Sequence, residues 1–236
     1  MTSDRGTVTR KNKYLLATGN RALSTGIFMV ISWYGEGCFK IQNGEDVILV
    51  DPPEASSGIS APRFKSNLLI KSITPWPVPE NLYQASDFSI IGAGEYDHNG
   101  VKIKGYNLIK ESSDKYFKSV YVVSWDDITL GILGHVSSEL SPEIMENLEE
   151  IDVLIGPAGG SPFLGQMEMS KLVKQLNPKI FIPSFYKIEG LKRKSLDVKD
   201  FLANFNGEVS KDNDKFTFKR KDIEGLKKTK VICLKV

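Results

Sequence analysis

The chain has 236 residues, of which 41% are hydrophobic and 25% charged, and its formal net charge is +2 at neutral pH. This composition is typical of a globular protein and excludes a disordered chain, a collagen-like repeat and a coiled coil as the main state. The longest uncharged apolar run, Thr25 to Tyr34, is far shorter than the roughly 20 residues that a membrane helix requires. We therefore predict no membrane-spanning segment.

Charge is unevenly distributed along the chain. Residues 1–26 carry five basic side chains and one acidic side chain, and residues 187–236 carry fourteen basic against eight acidic side chains. Basic ends can contact nucleic acid, so a nucleic-acid-binding module is one hypothesis. Acids interleave with the bases and no nucleic-acid motif accompanies them, which favours a solvated surface. Because residues 1–26 lack apolar periodicity, we predict a flexible basic tail followed by a single domain over residues 27–236.

Two cysteines, Cys38 and Cys233, lie far apart in the sequence and form no C-x-x-C pair. This spacing disfavours a disulfide framework and a cysteine zinc site. Each cysteine lies in a short apolar run, so we predict two small buried side chains. The first 26 residues show no secretion signal, and the sequence therefore favours a cytoplasmic protein.

The first half of the chain shows the short apolar runs and turn residues that predict strands. Asp126-Asp127 separates two such runs, which indicates a tight hairpin. The predicted strands are Ile27–Trp33, Cys38–Ile41, Val47–Val50, Ser89–Ile91, Val101–Lys104, Val120–Trp125 and Ile128–Leu133.

After Gly134 the pattern changes to alternating helices and strands. Ser141-Pro142-Glu143 is a helix start, and Met169, Leu172, Val173 and Leu176 give a helical stripe that Asn177-Pro178 ends. A third helix is predicted from Val198 to near Gly207. The strands predicted here are Asp152–Gly156, Ile180–Pro183, Phe216–Lys219 and Val231–Leu234. A strand-rich first half followed by βαβ units predicts an α/β protein with mixed sheets between helices.

Several strings, in one order, resemble the metallo-β-lactamase superfamily, in its short zinc-dependent hydrolase-like branch related to sugar-phosphate lactonases. The resemblance implies an αββα four-layer sandwich, with two mixed β-sheets flanked by helices. The strings are Ile31–Gly35 with Cys38–Ile41, Ile48–Pro52, Gly92–Tyr96 with Gly100–Ile103 (similar to a P-G-E-Y-E element), Leu133-Gly134 with Ile151–Gly160, and Asn177–Lys179 with Ile182–Lys187.

The resemblance also implies where the metal ligands of the family would lie. Members of the family hold one or two metal ions that convert water into hydroxide, chiefly through an H-x-H-x-D-H signature. Here that signature falls on Ile73–Val78, and the carboxylate of the later L-G-D element falls on His135. None of the four residues in the signature positions is able to bind a metal. These are Ile73, Pro75, Pro77 and Val78, and the late histidine is replaced by Phe185.

The chain has only two histidines, His98 and His135. We interpret His98 as part of a turn, Tyr96 to Gly100, because the residues around it are turn formers. His135 takes the position of the bridging carboxylate, so Asp51, Glu95 and His135 are the candidate binding residues of the former active-site region. A structural, hydrogen-bonded histidine is the alternative interpretation. No metal ligand is predicted, because the signature positions have lost their ligating side chains. No catalytic residue or cofactor is predicted either, since glycine-rich phosphate loops, dinucleotide fingerprints and G-x-S-x-G elbows are all missing.

Trp76 lies between Pro75 and Pro77, where the polar ligands would be. We expect this stiff apolar segment to fill the former metal cavity, with a protein-binding bump as the alternative.

The leading hypothesis is a degenerate family member without metal-dependent hydrolase activity, which acts as a binding or assembly protein for an unknown protein partner or small ligand. The enzyme alternative is a hydrolase of a lactone or phosphoester, with one metal site rebuilt around His135, Asp51 and Glu95 and, in one version, Asp97 or His98. The sequence leaves open whether the chain forms a homo-oligomer.

Overall fold

The computed structural model describes residues 28–84, 86–205 and 207–236. The predicted tail, residues 1–26, lies outside these ranges. The helices are α1 (Pro142–Asn147), α2 (Gln166–Leu176), α3 (Val198–Ala203) and α4 (Arg220–Ile223). The strands are β1 (Met29–Trp33), β2 (Phe39–Asn43), β3 (Asp46–Val50), β4 (Leu68–Lys71), β5 (Ile73–Pro75), β6 (Phe88–Ile91), β7 (Gly94–His98), β8 (Val101–Asn107), β9 (Tyr116–Trp125), β10 (Ile128–Ile132), β11 (Val153–Pro157), β12 (Ile180–Ser184), β13 (Glu208–Asn213), β14 (Phe216–Phe218) and β15 (Lys230–Leu234).

Two mixed sheets form the centre of the fold. The first has six strands in the order β14-β1-β2-β3-β4-β6, and the second has nine, in the order β13-β15-β12-β11-β10-β9-β8-β7 with β5 paired to β9. Strands β3, β4 and β6 run parallel, as do β10, β11, β12 and β15. Carboxyl ends of parallel neighbours meet at one edge of a sheet, which is where the polar residues described below come together.

The main core lies between the two sheets, where the alternating side chains of β1 and β2 are buried on one face only. A second core lies on the outer face of the nine-stranded sheet, under α1, α2 and α3. Outside the six-stranded sheet the cover is thinner, because Cys38, Leu49 and Leu69 are covered there by Tyr34, Phe64 and Leu82. The predicted four-layer sandwich is confirmed.

Most predicted elements appear within one or two residues of the observed bounds, and both cysteines are buried and free. The hairpin is present, with Asp126 in the left-handed backbone region between β9 and β10. The turn predicted around His98 is wrong in its position, because His98 is the last residue of β7 and the turn is made by Asn99 and Gly100. Helix α3 ends at Ala203, earlier than predicted. No helix in the described ranges is long and apolar enough to cross a membrane.

Candidate functional site

Three polar residues meet where strands of the two sheets end. Asp51 follows β3, Ser72 follows β4, and His135 lies three residues beyond β10. Since β3 and β4 are parallel neighbours, the residues that follow them lie side by side. Ser72 and Asp51 are almost completely buried, with 1% and 4% of their surface exposed, whereas 19% of the His135 side chain is exposed.

A continuous line of hydrogen bonds joins these residues. The Ser72 backbone amide donates to Asp51 Oδ1 at 2.8 Å, and the Ser72 hydroxyl donates to Asp51 Oδ2 at 2.5 Å. The same Ser72 oxygen lies 2.7 Å from His135 Nδ1. Nδ1 and Asp51 Oδ2 are 3.7 Å apart, so the hydroxyl of Ser72 bridges the imidazole and the carboxylate.

The hydrogen bonds of the Ser72 hydroxyl determine which nitrogen of His135 carries the proton. A carboxylate only accepts hydrogen bonds, so the single proton of the Ser72 hydroxyl is committed to Asp51. The short contact between Ser72 Oγ and His135 then requires a proton on Nδ1, which leaves Nε2 with a free lone pair in the neutral ring.

The ring environment favours the neutral imidazole. Burial lowers the pKa of His135 below its ordinary value of 6.5, although the Asp51 carboxylate raises it. The positive charges of Lys71, Lys118 and Arg193 lower the pKa further. We therefore treat His135 as uncharged at neutral pH.

Aromatic side chains enclose the imidazole. The rings of Phe163 and Phe185 meet that of His135 edge-on, with centroids at 5.6 Å and 4.9 Å, and lie 4.2 Å from each other. The guanidinium of Arg193 lies over the Phe163 ring, 4.9 Å from its centroid. Apolar rings thus occupy space around the position that the family gives to metal ligands.

Arg193 joins two segments whose backbone is strained. Glu36 and Phe185 both have positive φ, at 49° and 57°, a region that non-glycine residues adopt only when their surroundings hold them there. Arg193 forms an ion pair with Glu36 at 2.9 Å and donates to the Phe185 carbonyl at 2.6 Å. The Phe185 amide donates to the Glu36 carbonyl at 3.1 Å. These contacts hold Phe185 against His135.

A second polar cluster anchors the segment that contains His135. The Glu111 carboxylate accepts hydrogen bonds from the amides and hydroxyls of Ser137 and Ser138 and pairs with Lys118 at 3.0 Å. Lys118 in turn donates to the His135 carbonyl at 2.9 Å. Burial raises the pKa of Glu111, but these hydrogen bonds outweigh it and lower the pKa overall. The charged carboxylate therefore fixes the turn after His135.

Of the three candidates, the structure brings Asp51 and His135 together but leaves Glu95 elsewhere. Glu95 lies on the edge strand β7, and its exposed carboxylate pairs with Lys104 at 3.4 Å. His98 is stacked on Phe88, with centroids 4.9 Å apart. Ser72 was missed in the sequence, because its role depends on a contact with His135, which is 63 residues away.

Trp76 does not fill the former metal cavity, so that expectation is wrong. Its side chain is 60% exposed, and its ring meets Phe117 edge-on at 6.4 Å. The short strand β5 pairs with β9, and the Trp76 amide donates to the Lys115 carbonyl, so the indole is directed away from the core. Phe163 and Phe185 pack against His135 instead.

The residues at this position do not fit a metal site. Each oxygen of Asp51 accepts one hydrogen bond from Ser72, and Nδ1 of His135 is a donor, so the three residues offer a metal ion one imidazole nitrogen and the remaining lone pairs of one carboxylate. Within the described ranges, no group of three or more His, Cys, Asp or Glu side chains is arranged to hold a metal ion. A zinc site takes three or four protein ligands, and one imidazole with one carboxylate does not supply them.

The two stacked sheets, with polar residues at their strand ends, define the class of this protein. A family model described as beta-lactamase superfamily domain matches residues 30–184, and the chain belongs to this family. Among curated proteins, none matches the chain.

Several solved structures share this fold with the chain, and three of them are described as hydrolases. A Thermotoga maritima protein assigned to the Zn-dependent hydrolases of the superfamily is 28% identical, with a TM-score of 0.70 over 88% of this chain and 100% of its own. A metallo hydrolase from Ignicoccus hospitalis is 15% identical, with a TM-score of 0.58 over 81% and 99% of the chains. An isothiocyanate hydrolase from Delia radicum gut bacteria is 13% identical, with a TM-score of 0.55 over 81% and 98%.

Proposed function

We propose that this protein is a family member without metal-dependent hydrolase activity, which acts as a binding or assembly protein. The observation that carries the proposal is the hydrogen-bonded line Asp51–Ser72–His135, which uses the polar atoms at this position for internal bonds. The signature positions hold Ile73, Pro75, Pro77 and Val78, whose side chains offer no metal-ligating atom.

The enzyme alternative requires a metal bound by His135, Asp51 and Glu95. The described structure does not favour this geometry, because Glu95 is paired with Lys104 on an exposed edge strand.

A binding role has support in the exposed indole of Trp76 between two exposed prolines, a rigid apolar feature of the kind found at protein interfaces. A second copy of the chain is the first partner to test, by measuring molar mass in solution. The buried, free thiols of Cys38 and Cys233 support a reducing, cytoplasmic setting as part of this proposal.

Calorimetric titration of the chelator-treated protein with zinc tests the proposal. We expect no stoichiometric heat of binding from the wild-type chain, because no described set of ligands surrounds Nε2. The variants His135→Asn and His98→Asn are matched controls, since the chain has only these two histidines. Uptake of one or two zinc ions that disappears in His135→Asn, but not in His98→Asn, would overturn the proposal.

A further inference from the structure

A cavity of about 480 Å³ lies at the carboxyl ends of β1, β12 and β15. Its base is formed by the buried residues Trp33, Tyr186 and Leu234, and its rim by exposed residues, so the space is open to solvent. The hydrogen-bonded line at His135 contributes no residue to the lining. Small-molecule sites in proteins commonly have volumes of roughly 300–1,000 Å³. The cavity is therefore a candidate ligand site in its own right.

Contacts between the lining residues give the cavity its shape before a ligand enters. The Tyr186 hydroxyl donates to the Leu234 carbonyl at 2.5 Å, and the centroid of its ring lies 4.5 Å from that of Trp33. The segment that carries Asp197 is fixed by the Gln166 side-chain amide, which donates to the Asp197 carbonyl at 2.9 Å. A site with walls that are already held in place lowers the entropy lost on binding.

Apolar side chains at the base suit the hydrocarbon body of a ligand. Ile188 and Val198 are half-buried, pack against the core between the sheets and also line the cavity. Together with Trp33 and Tyr186 they provide branched aliphatic and aromatic side chains. Because burial of apolar surface contributes about 25 cal/mol per Å² without directional preference, the polar groups at the rim decide which ligand fits.

The rim carries more positive than negative charge. Three lysines, Lys199, Lys211 and Lys235, line the cavity together with the two carboxylates of Glu189 and Asp197. The Asp197 carboxylate caps α3, because its Oδ1 accepts a hydrogen bond from the Lys199 amide at 2.9 Å, and it forms a long ion pair with Lys199 at 3.9 Å. Lys235 forms an ion pair at 3.1 Å with a carboxylate outside the lining. Lys211 is exposed on β13.

We propose that this cavity binds a small organic monoanion, an apolar body that bears one carboxylate. The body packs on the base at Trp33 and Tyr186, and the carboxylate faces the lysines of the rim. The surroundings have the same sign of charge, since most lining residues belong to residues 187–236, whose fourteen basic and eight acidic side chains give a net charge of +6. A surface of one sign attracts ligands of the opposite sign.

Fluorescence titration with 8-anilinonaphthalene-1-sulfonate, an aromatic monoanion, tests the cavity in the full chain with chelator present. We expect one saturable site per chain. Lys211→Glu should raise the Kd of the probe about threefold to tenfold, because an attraction becomes a repulsion. Lys215→Glu is the matched control, since Lys215 is exposed outside the lining and the change in net charge is the same. Equal Kd values in the two variants, or no saturable site, would overturn the proposal.

Two further variants show where the probe binds. Val198→Trp places a large side chain at the apolar base and should raise the Kd more than about tenfold. Trp76→Ala removes an exposed indole outside the lining and should leave the Kd unchanged. Loss of binding in Trp76→Ala would overturn the proposal, because the probe would then bind at the indole. The surface variant Lys211→Glu keeps the test independent of whether Val198→Trp folds.

Displacement of the probe tests the chemical class of the ligand. 1-Naphthoate and 1-naphthalenemethanol have the same rings and differ in charge, so 1-naphthoate should displace the probe at a concentration about threefold to tenfold lower. Inorganic phosphate should not displace it, because phosphate has no apolar body. Equal potency of the two naphthalenes, or displacement by phosphate, would overturn the proposal. Chelator is present throughout and none of the altered residues belongs to the hydrogen-bonded line at His135, so the outcome is separate from that of the zinc titration.

Discussion

His135 connects the electrostatics of the site to the stability of the fold. Its pKa is lowered in the folded chain, first by burial and then by the nearby cations, while the unfolded chain keeps the ordinary value of 6.5. The unfolded state therefore binds more protons at mildly acidic pH, and stability increases with pH wherever this holds. Stability contributed by the neutral ring is present above the ordinary pKa and is lost as pH falls from there toward the lower pKa of the fold.

We predict that the free energy of unfolding of the wild type falls more steeply between pH 7 and pH 5.5 than that of His135→Asn. Urea unfolding at several pH values measures this difference, and His98→Asn should follow the wild type. Parallel curves for the wild type and His135→Asn would show that the imidazole does not have the lowered pKa.

The Ser72 hydroxyl contacts both the Asp51 carboxylate and the His135 imidazole. We therefore expect it to contribute more to the free energy of unfolding than the hydroxyl of an exposed serine. In Ser72→Ala the buried oxygen of Asp51 and Nδ1 of His135 lose their partner, which we expect to destabilise the fold by about 1–3 kcal/mol. The control is Ser60→Ala, in an exposed loop, for which the change should stay within about 0.5 kcal/mol. Equal stabilities of the two variants would contradict the hydrogen-bonded line.

At the scale of elements, the turn after β10 depends on Glu111, which projects from the 3₁₀ turn Ile109–Glu111. Only 5% of its side chain is exposed, and it satisfies the amides of Ser137 and Ser138 as well as Lys118. The cluster lies where the chain leaves β8 and β10 and near the start of β9, and it binds the His135 carbonyl through Lys118.

Glu111→Gln should therefore destabilise the protein by about 3 kcal/mol, because the buried Lys118 loses its counter-charge and one acceptor becomes a donor. Chemical denaturation measures the change, and the His135 resonances should shift in the same variant. Glu95→Gln is the matched control, since its exposed pair with Lys104 should contribute less than about 1 kcal/mol. A stability of Glu111→Gln close to that of the control would show that the cluster does not anchor the turn.

Which aromatic residue fills the former metal cavity is also open to a direct test. Phe185 is 2% exposed and Trp76 is 60% exposed. We expect Phe185→Ala to cost about 3–5 kcal/mol, as for other buried aromatic truncations. Trp76→Ala should change stability by less than about 0.5 kcal/mol. The reverse order in thermal or urea unfolding would favour the indole as the plug.

Elements with a strong local pattern were predictable from the sequence. The stripe Met169–Leu176 and the turn Asp126-Asp127 each carry their own signal, and both appear as expected. Strand β13, Glu208–Asn213, has no apolar alternation that would predict a strand. It forms because its backbone pairs in parallel with β15. Trp76 was misplaced because a segment rich in proline, tryptophan and valine suits a core, whereas the pairing of β5 with β9 directs it outward.

The site was predictable only in part for a related reason. The position of His135 followed from the order of elements, and Asp51 from the strand before it. Glu95 was placed with them by its motif, but β7 lies at the far edge of the sheet, with β8 and β9 between it and β10. Contacts between residues distant in sequence, such as Ser72 with His135, depend on the packing of the two sheets and leave no local pattern.

At the scale of the whole molecule, the fold keeps the two-sheet core of its family, and polar and aromatic side chains contact one another at the end where Asp51 and His135 lie. The hydrogen bonds of Ser72, the rings of Phe163 and Phe185, and the Arg193 bridge between two strained segments together occupy that end. These contacts are made between side chains and backbone of the described residues. We therefore expect the protein to be stable in the presence of chelator.

Metal content tests this central claim most directly. Untagged protein, expressed with zinc, manganese and iron available, is analysed by elemental mass spectrometry after gentle purification. We predict less than about a tenth of a metal ion per chain, because the ligand positions hold apolar residues and Nε2 of His135 stands without further ligands. A content near one or two metal ions per chain would contradict the account and would make the chain a metal-binding member of its family.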